Sequence, residues 1–576
     1  MQYCIIVSMI KEELIRNLHT VISKLGLSDI AIDLEHPINS DHGDYSTSIA
    51  LKISKKLKKN PFEIAQMIID SLPKVDFVEK VEAVKPGFIN FRLSNEYVLK
   101  QVLKIETEHF IFPTFYLGKN KKIMVEYAHP NTHKLFHIGH LRNITTGESI
   151  VRILEAVGNK VIRSNYQGDV GLHIAKCLYG IQKSLLRQGF GGQAKIKNLK
   201  TLKEKTEFIG KMYTEGTRAY EEDENAKKEI IEMNRFIYNK DPKIMSLWKE
   251  TRQWSIDYFN EIYKRVYSHF DRFYFESELP ERGIEISESA LKKRILEKSE
   301  GAIVFNGKKY GLDTRVFINS LGFPTYEGKE LALAEKEFSE FGELDKCIHV
   351  VTPEQTSFFK VTFKVEELLD EKKYKNKQYH LVYEWVNLKE GKMSSREGNI
   401  IEGNWLINEA KKKIIELFKC NEDVAEILAV ASIKYSFLKN GVSNPIAFDF
   451  KESVSLEGNS GSYLLYAYVR TQSILKKEKP SKIVKVQGIS KDEQNILHFV
   501  NQFASVVEKA AQNFSPNYIA TYLFELAQQF NLFYQKYPVL KADKDIKQFR
   551  LLLTQSVGQI LKKGLDLLGI RTVNQM

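Results

Sequence analysis

Ile123-Met124-Val125-Glu126-Tyr127, followed after a short polar stretch by His137-Ile138-Gly139-His140, decides the fold of this chain. The first run reads as a buried strand. Leu141, Ile144, Val151, Leu154 and Val157 then recur at helical spacing, Gly158 ends that helix, and Val161 and Ile162 open another strand. Strand, helix and strand in this order form the unit of a parallel nucleotide-binding sheet, with the ligand expected at the helix N-terminus. His137 and His140 are three apart, so they share one face of the first turn, beside backbone N–H groups that favour anions. Imidazole N–H groups there can bond phosphate oxygens as charge develops on them, and Gly139, lacking a Cβ, lets adenine lie close to the backbone. Far downstream, Lys392-Met393-Ser394-Ser395-Arg396 sits between Gly391 and Gly398 and reads as a cationic loop suited to a pyrophosphate leaving group. Either motif alone is weak. Both, in order on a sheet pattern, describe an ATP site.

At 576 residues the chain has room for three or four domains. Lys plus Arg number 85 against 73 for Asp plus Glu, and this net charge of +12 suits a polyanionic partner. Cys4, Cys177, Cys347 and Cys420 lie far apart without C-x-x-C spacing, which predicts free thiols in a reducing cytoplasm, no disulfide framework and no zinc. Met1 to Ile10 lacks a basic leader and is not read as a signal peptide, and no run approaches the length of a membrane span.

The fold class expected is multidomain α/β. Residues 1–115 read as an α+β unit: helices around Ile10 to Leu25 and Pro61 to Leu72, a turn at Asp41-His42-Gly43-Asp44-Tyr45, and a strand Gly87 to Leu93 in which Phe88, Asn90 and Arg92 alternate with Ile89, Phe91 and Leu93. Residues 116–455 read as a Rossmann-type core, split by a helical insertion at about 185–300 and resuming near Gly301-Ala302-Ile303-Val304-Phe305, with a strand Ile348 to Val351 and helices after the Lys392 loop. Inside the insertion, Gln188 to Lys195 is glycine-rich but has neither a leading strand nor a G-K-[S/T] ending, so it reads as an exposed segment of unknown role. Trp248, Trp254, Tyr258, Phe259, Ile262, Tyr263 and Val266 are spaced as one packed helix face. Residues 456–576 read as an all-α bundle.

The long run Val125 to Asn143, with Gln167-Gly168-Asp169-Val170-Gly171 after it and the Lys392 motif, resembles the class I aminoacyl-tRNA synthetases and, within them, the arginyl-tRNA synthetase family, over nearly the whole chain. The resemblance implies ATP-dependent activation of L-arginine, with Mg²⁺ accompanying ATP, and transfer to the 3′ end of tRNA(Arg) by a monomer. It further implies that the N-terminal unit contacts the tRNA elbow and that the C-terminal bundle binds the anticodon. Residue by residue, it assigns His137, His140 and Lys392 to catalysis, and Gly139, Met393, Ser394 and Ser395 to the nucleotide. Glu126 and Asn131, with His129 between them, match contacts to the substrate amino and carboxylate groups; Tyr326 and Glu330 match the guanidinium grip, and Gln355 a nearby polar contact. Two departures stand out. Glu330 occupies a place where Asp is usual, moving the carboxylate by about 1.5 Å. Ser395 occupies the place of the second lysine of the loop, so Lys134, three residues before His137, is expected to supply the displaced charge. A class I synthetase for another amino acid, or a catalytically silent tRNA-binding relative, are the alternatives.

Overall fold

The computed structural model describes residues 5–37, 39–104, 121–187, 199–389, 401–481 and 488–576. Lys392, Met393, Ser394, Ser395 and the glycine-rich stretch 188–195 lie outside the described residues.

Helices α1 (Ile5–Lys24), α2 (Ile49–Leu57), α3 (Pro61–Ser71) and α4 (Asn95–Lys104) pack with strands β1 (Tyr45–Thr47), β2 (Val78–Val84) and β3 (Phe88–Leu93). Helix α3 begins where sequence rules place it, with Asn60 accepting from the Phe62 N–H and Pro61 in the first turn. The three strands pair antiparallel with β3 in the middle. The alternation read for β3 is incomplete: Phe88 is exposed as expected, but Asn90 is buried, accepting from Ser46 Oγ at 2.7 Å. His498, from the far end of the chain, bridges Asp44 Oδ1 at 2.6 Å and Asn95 Oδ1 at 2.8 Å, and so ties this unit to the C-terminal bundle.

The central sheet contains β4 (Lys122–Glu126), β5 (Lys160–Gln167), β6 (Arg272–Phe275), β10 (Lys346–Val351) and β11 (Gln378–Val382), all parallel, in the order β11-β10-β4-β5-β6. Helix α5 (Ile138–Ala156) is the crossover from β4 to β5. One sheet face, with Ile123, Val125, Ile348 and Val350, shares the large core with α5. The other, with Met124 and Cys347, packs on a helix at Tyr326–Glu340. Gly147 lets α5 approach β4, since a Cβ there would fall 2.3 Å from the Tyr127 ring.

Three expectations about this region need correction. The span 185–300 is helical through α6 (Leu172–Arg187), α7 (Leu202–Glu222), α8 (Glu224–Tyr238) and α9 (Pro242–Arg265), but it then supplies β6, a strand of the central sheet. Four residues, three of them aromatic, carry too short a pattern to announce a strand. Ala302–Phe305 does not resume the parallel sheet. It is β8 of a separate antiparallel sheet with β7 (Glu297–Ser299) and β9 (Arg315–Ile318), because Gly301, at φ 79°, folds it back on β7. Nor is the chain after the Lys392 motif wholly helical: a strand at Ile446–Phe448 pairs with one at Val386–Leu388. The aromatic stripe of α9 is packing, as read, with Trp248 and Trp254 in one cluster and Tyr258, Phe259, Ile262 and Tyr263 in the main core.

The last segment is helical among its described residues. Its final helix, Lys544–Leu567, docks against the far end of α5: Ser149 Oγ donates to Leu567 O at 3.0 Å and Arg152 pairs with Asp566 at 2.8 Å. Lys434 lies fully buried beneath this joint, donating to Val266 O and Gly569 O at 2.7 and 2.6 Å. Burial pushes its amine down to about 7, with Glu148 opposing the shift.

Candidate active site

Between β4 and α5 the backbone turns through left-handed conformations at Ala128, His129 and His133, with φ of 80°, 48° and 61°. Such geometry is costly for residues with a side chain and persists only when neighbours enforce it. Asn143 does so, accepting from Ala128 N–H at 2.6 Å while donating to Val350 O at 2.7 Å. His133 is a core histidine, bonded to Thr251 and Thr132 and pushed by burial down to about 3.

His137 is the N-cap of α5. Its Nδ1 accepts from Gly139 N–H at 3.1 Å, while its own N–H donates to Nδ1 of His140 at 3.2 Å, a reciprocal capping box built from two imidazoles. The rings stack with centroids 3.7 Å apart. A ring nitrogen that accepts a backbone N–H carries no proton, so both histidines are neutral with the proton on Nε2, and both Nε2–H groups remain to donate elsewhere. Burial, aided by Lys134, pushes His137 down to about 4; burial, then His137, depresses His140 further. A Cβ at Gly139 would lie 3.0 Å from the His137 ring, so glycine here also keeps the cap in place.

The two ends of the Lys392 segment are fastened to the same helix start. Downstream, Ile138 N–H donates to Ile401 O at 2.9 Å, Gly403 N–H to Phe136 O at 2.8 Å, and Tyr258 holds Glu402 at 3.0 Å. Upstream, the buried guanidinium of Arg142 donates to four carbonyls, Glu384 and Trp385 from one side and Val442 and Asn444 from the other. Trp385 and Ile401, on either side of the segment, are therefore both held to the first turns of α5, although Lys392 itself lies outside the described residues.

Lys134 stands 5.3 Å from the Tyr213 ring and makes no ion pair among the described residues, so its charge is available to an anion beside His137. Asp169, from the Gly-Asp segment, is buried and receives Ser277 N–H and Oγ at 2.8 Å and Arg252 at 2.7 Å, which fixes β6 and α9 to that turn. Asn131 approaches the same turn, its Oδ1 lying 2.1 Å from where a Gly168 Cβ would stand.

Beyond the histidines, past His129, lies a cluster of buried acids. Glu126 and Glu330 each present an oxygen, Oε2 and Oε1 respectively, with no partner, as does His129 through Nε2. Burial opposes ionisation of Glu126, but His349, 3.0 Å away, outweighs it and holds the carboxyl below its usual range. Burial pushes Glu330 up to about 8. Tyr326, the first residue of the helix above, is 61 % exposed at the mouth, and Lys329 beneath it pairs with Glu276. Gln355 is exposed at the end of β10 and makes no described side-chain bond.

The structure thus places Glu126, His129, Asn131, Lys134, His137, Gly139 and His140 on one strand end, loop and helix start, and brings Glu330 near enough to Glu126 for their charges to interact, with Tyr326 at the start of the same helix as Glu330. Sequence reading gave Arg142, Asn143, His349, Glu337 and Glu366 no role. Arg142 and Asn143 sit between the apolar Leu141 and Ile144, and His349 interrupts an apolar strand; a polar group at a core position was the available signal.

Comparison with known proteins accounts for nearly the whole chain. Residues 8–93 match the arginyl tRNA synthetase N terminal domain, residues 106–450 the catalytic domain of "tRNA synthetases class I (R)", and residues 464–576 the DALR anticodon binding domain. Curated relatives include the arginine-tRNA ligases of Bdellovibrio bacteriovorus, 32 % identical over 95 % of both chains, and of Borreliella afzelii, 32 % identical over 97 % of this chain and 98 % of the other. The Thermus thermophilus arginyl-tRNA synthetase structure superposes with a TM-score of 0.82 at 24 % identity, covering 98 % of this chain and 100 % of that one, which shows the shared fold. With a parallel-sheet core, a capped histidine pair and family matches that run from residue 8 to residue 576, this chain belongs to the class I arginyl-tRNA synthetases.

Proposed function

We propose that the pocket framed by His137, His140, Glu126 and Glu330 is where this arginine-tRNA ligase forms arginyl-adenylate and then charges tRNA(Arg). The observation that carries the reading is the fastening of both ends of the Lys392 segment to the α5 start, beside a pocket that offers buried acceptors to a polycationic substrate.

The arginine carboxylate attacks the α-phosphate of ATP, and pyrophosphate leaves. Nε2–H of His137 and His140 donates to phosphate oxygens as they gain charge, while adenine lies over Gly139 and Met393, Ser394 and Ser395 contribute to nucleotide binding. Lys392 and Lys134 neutralise the pyrophosphate, Lys134 covering the charge that Ser395 does not carry. Mg²⁺ enters with ATP as part of that substrate. The substrate's N–H donors meet the open oxygens of Glu126 and Glu330, with Tyr326 and Gln355 at the mouth and His129 and Asn131 toward the α-carbon. A lysine ammonium cannot satisfy a planar set of acceptors, and each one left bare costs about 1–3 kcal/mol. In the second step the 2′-hydroxyl of the tRNA 3′ adenosine attacks the arginyl carbonyl and AMP leaves.

Residues 456–576 act on the anticodon, where exposed Tyr466 and Tyr534, on either side of Arg470, offer stacking surfaces, and residues 1–115 act on the tRNA elbow. The free thiols of Cys177 and Cys347 support a reducing cytoplasm. No helix among the described residues is long and apolar enough to cross a membrane.

ATP-pyrophosphate exchange across the amino acids, with and without tRNA, tests the assignment: arginine with tRNA(Arg) should support exchange. Exchange with another amino acid, or none at all, would defeat it. In the same assay Lys134→Ala should lose most of the exchange rate, by about 100-fold, while the arginine KM stays within about twofold. Near-normal turnover would remove Lys134 from the mechanism.

A further inference from the structure

Four side chains from four elements form one line of hydrogen bonds beneath the arginine pocket. Parallel register sets His349 on β10 opposite Glu126 on β4. His349 Nδ1 lies 3.0 Å from Glu126 Oε1, and its Nε2 lies 2.9 Å from Oε1 of Gln378 on β11. The Gln378 amide is oriented in turn by donating through Nε2 to Glu366 at 2.8 Å, from the helix Thr356–Leu369. Glu126, His349 and Glu366 are at most 3 % exposed.

Both atoms that face the imidazole are acceptors. A neutral ring has one N–H to give, so this arrangement is satisfied only by the doubly protonated, cationic form. The surroundings agree with it. Burial opposes the charge, but Cys347 and Glu126 outweigh burial and hold the imidazole well above its usual range. Burial also pushes the Cys347 thiol up and keeps it protonated, so Glu126 is the anion of the pair.

The other titratable neighbours supply no second anion of the same standing. Glu330 and Glu337, from the helix Tyr326–Glu340, are raised by burial with the Glu126 charge adding to it, Glu330 to about 8, and Glu337 is hydrogen-bonded to Glu126. Burial raises Glu366 to about 7, lowers His129, and lowers His380 on β11 to about 4. The remaining contacts are apolar, with the Phe359 and Phe363 rings centred 5.0 and 5.6 Å from that of His349. Glu126 and His349 are therefore the one fully charged pair among these groups near neutrality.

We infer that His349 is a positioning residue for arginine: its imidazolium fixes Glu126 through Oε1 and so turns Oε2, as a standing carboxylate, toward the N–H donors of the substrate. It acts through Glu126 rather than on the substrate. Without a fixed cation, burial among neighbouring carboxyls would protonate Glu126, and a protonated acid offers a cationic substrate fewer acceptors and no charge. The inference rests on the arginine pocket of the functional reading above and adds the group that keeps its first acid ionised and oriented.

Arginine-dependent ATP-pyrophosphate exchange by the full chain with tRNA(Arg) reads the effect. His349→Gln keeps an amide donor for Glu126 but not the charge, so the arginine KM should rise about tenfold or more near pH 7 while the ATP KM stays within about twofold. The pH profile should steepen as well. In the wild type Glu330 is the pocket acid that must shed a proton for the guanidinium, so log KM should fall by about one per pH unit below about 8; in the variant Glu126 must shed one too, and the fall should approach about two. Gln378→Leu, at a half-buried position, removes the acceptor of Nε2–H and should shift the arginine KM the same way by about threefold, which decides the matter if the first variant does not fold. An arginine KM unchanged in both variants, or arginine and ATP KM rising together with the wild-type pH slope, would overturn the positioning role. Isotope-labelled-histidine NMR reads the ring independently of catalysis: the signals lost in His349→Gln should show both nitrogens protonated up to about pH 8, and a neutral ring would overturn the inference. Wild-type enzyme that exchanges no arginine would count against the functional reading instead, since the spectra report on His349 alone.

Discussion

Arg142→Met should be the most damaging single substitution in the nucleotide half of the protein, lowering stability by about 3–5 kcal/mol and abolishing measurable adenylate formation. The side chain is buried, and its guanidinium donates to four backbone carbonyls from two separated segments. Methionine fills much of the volume but offers no donor, so the carbonyls of Glu384, Trp385, Val442 and Asn444 are left bare, at about 1–3 kcal/mol each before any water enters. Burial lowers Arg142 only to about 10, so it is charged throughout the working range, and the loss does not depend on pH near neutrality. Arg142→Lys should fall in between, because three donors on one nitrogen cannot span four acceptors held in a plane. Thermal unfolding measures the first effect and single-turnover formation of arginyl-adenylate the second. If the methionine variant kept both, the segment leading to Lys392 would owe its place to something else.

Loss of the paired imidazoles should cost rate more than stability. His137→Ala or His140→Ala removes one Nε2–H donor and one half of the capping box, which predicts a fall in adenylate formation of about 100- to 1,000-fold and a stability loss near 1 kcal/mol. Asparagine at position 137 separates the two roles. It is a good N-cap, so His137→Asn should keep the stability of α5 while remaining slow. Protonation supplies a second separation. Burial, with Lys134 adding to it, sets the folded value of His137 at about 4, below the 6.5 of an unfolded chain. A depressed imidazole is uncharged in the fold while the unfolded chain binds a proton, so its contribution is complete above about pH 6.5 and is lost as the pH falls toward 4. The single-turnover rate should accordingly be level through pH 6.5 and drop only as pH 4 is approached. A step at pH 6.5 that disappears in His137→Asn would mean that the neutral, Nε2-protonated pair is not the working form.

How far sequence alone reached follows from which interactions are local. Strand β4, helix α5 and strand β5 were legible because each announces itself through its own periodicity and is joined to the next by a short connection. The histidine pair was legible for the same reason, since a spacing of three on a helix start fixes a shared face. What escaped depends on partners distant in sequence. The four aromatic-rich residues of β6 become a strand only because β5 offers them an edge, and Ala302–Phe305, apolar enough for the central sheet, is taken into another by the turn at Gly301. Arg142 looked like one more residue of a signature until its acceptors, more than two hundred positions away, came into view. His349, Gln378 and Glu366 are unremarkable one at a time; strand register and one helix make them a line of hydrogen bonds that ends on Glu126.

The capping histidines occupy one end of α5, and Ser149 and Arg152, toward its other end, grip the last turn of the closing helix above the buried Lys434. Nineteen residues rising about 1.5 Å each give a rod of roughly 28 Å with no proline in it. A tilt of the distal domain, such as a large polyanion lodged against it would impose, is therefore delivered to the imidazoles as rigid displacement, with no hinge along the shaft to absorb the motion.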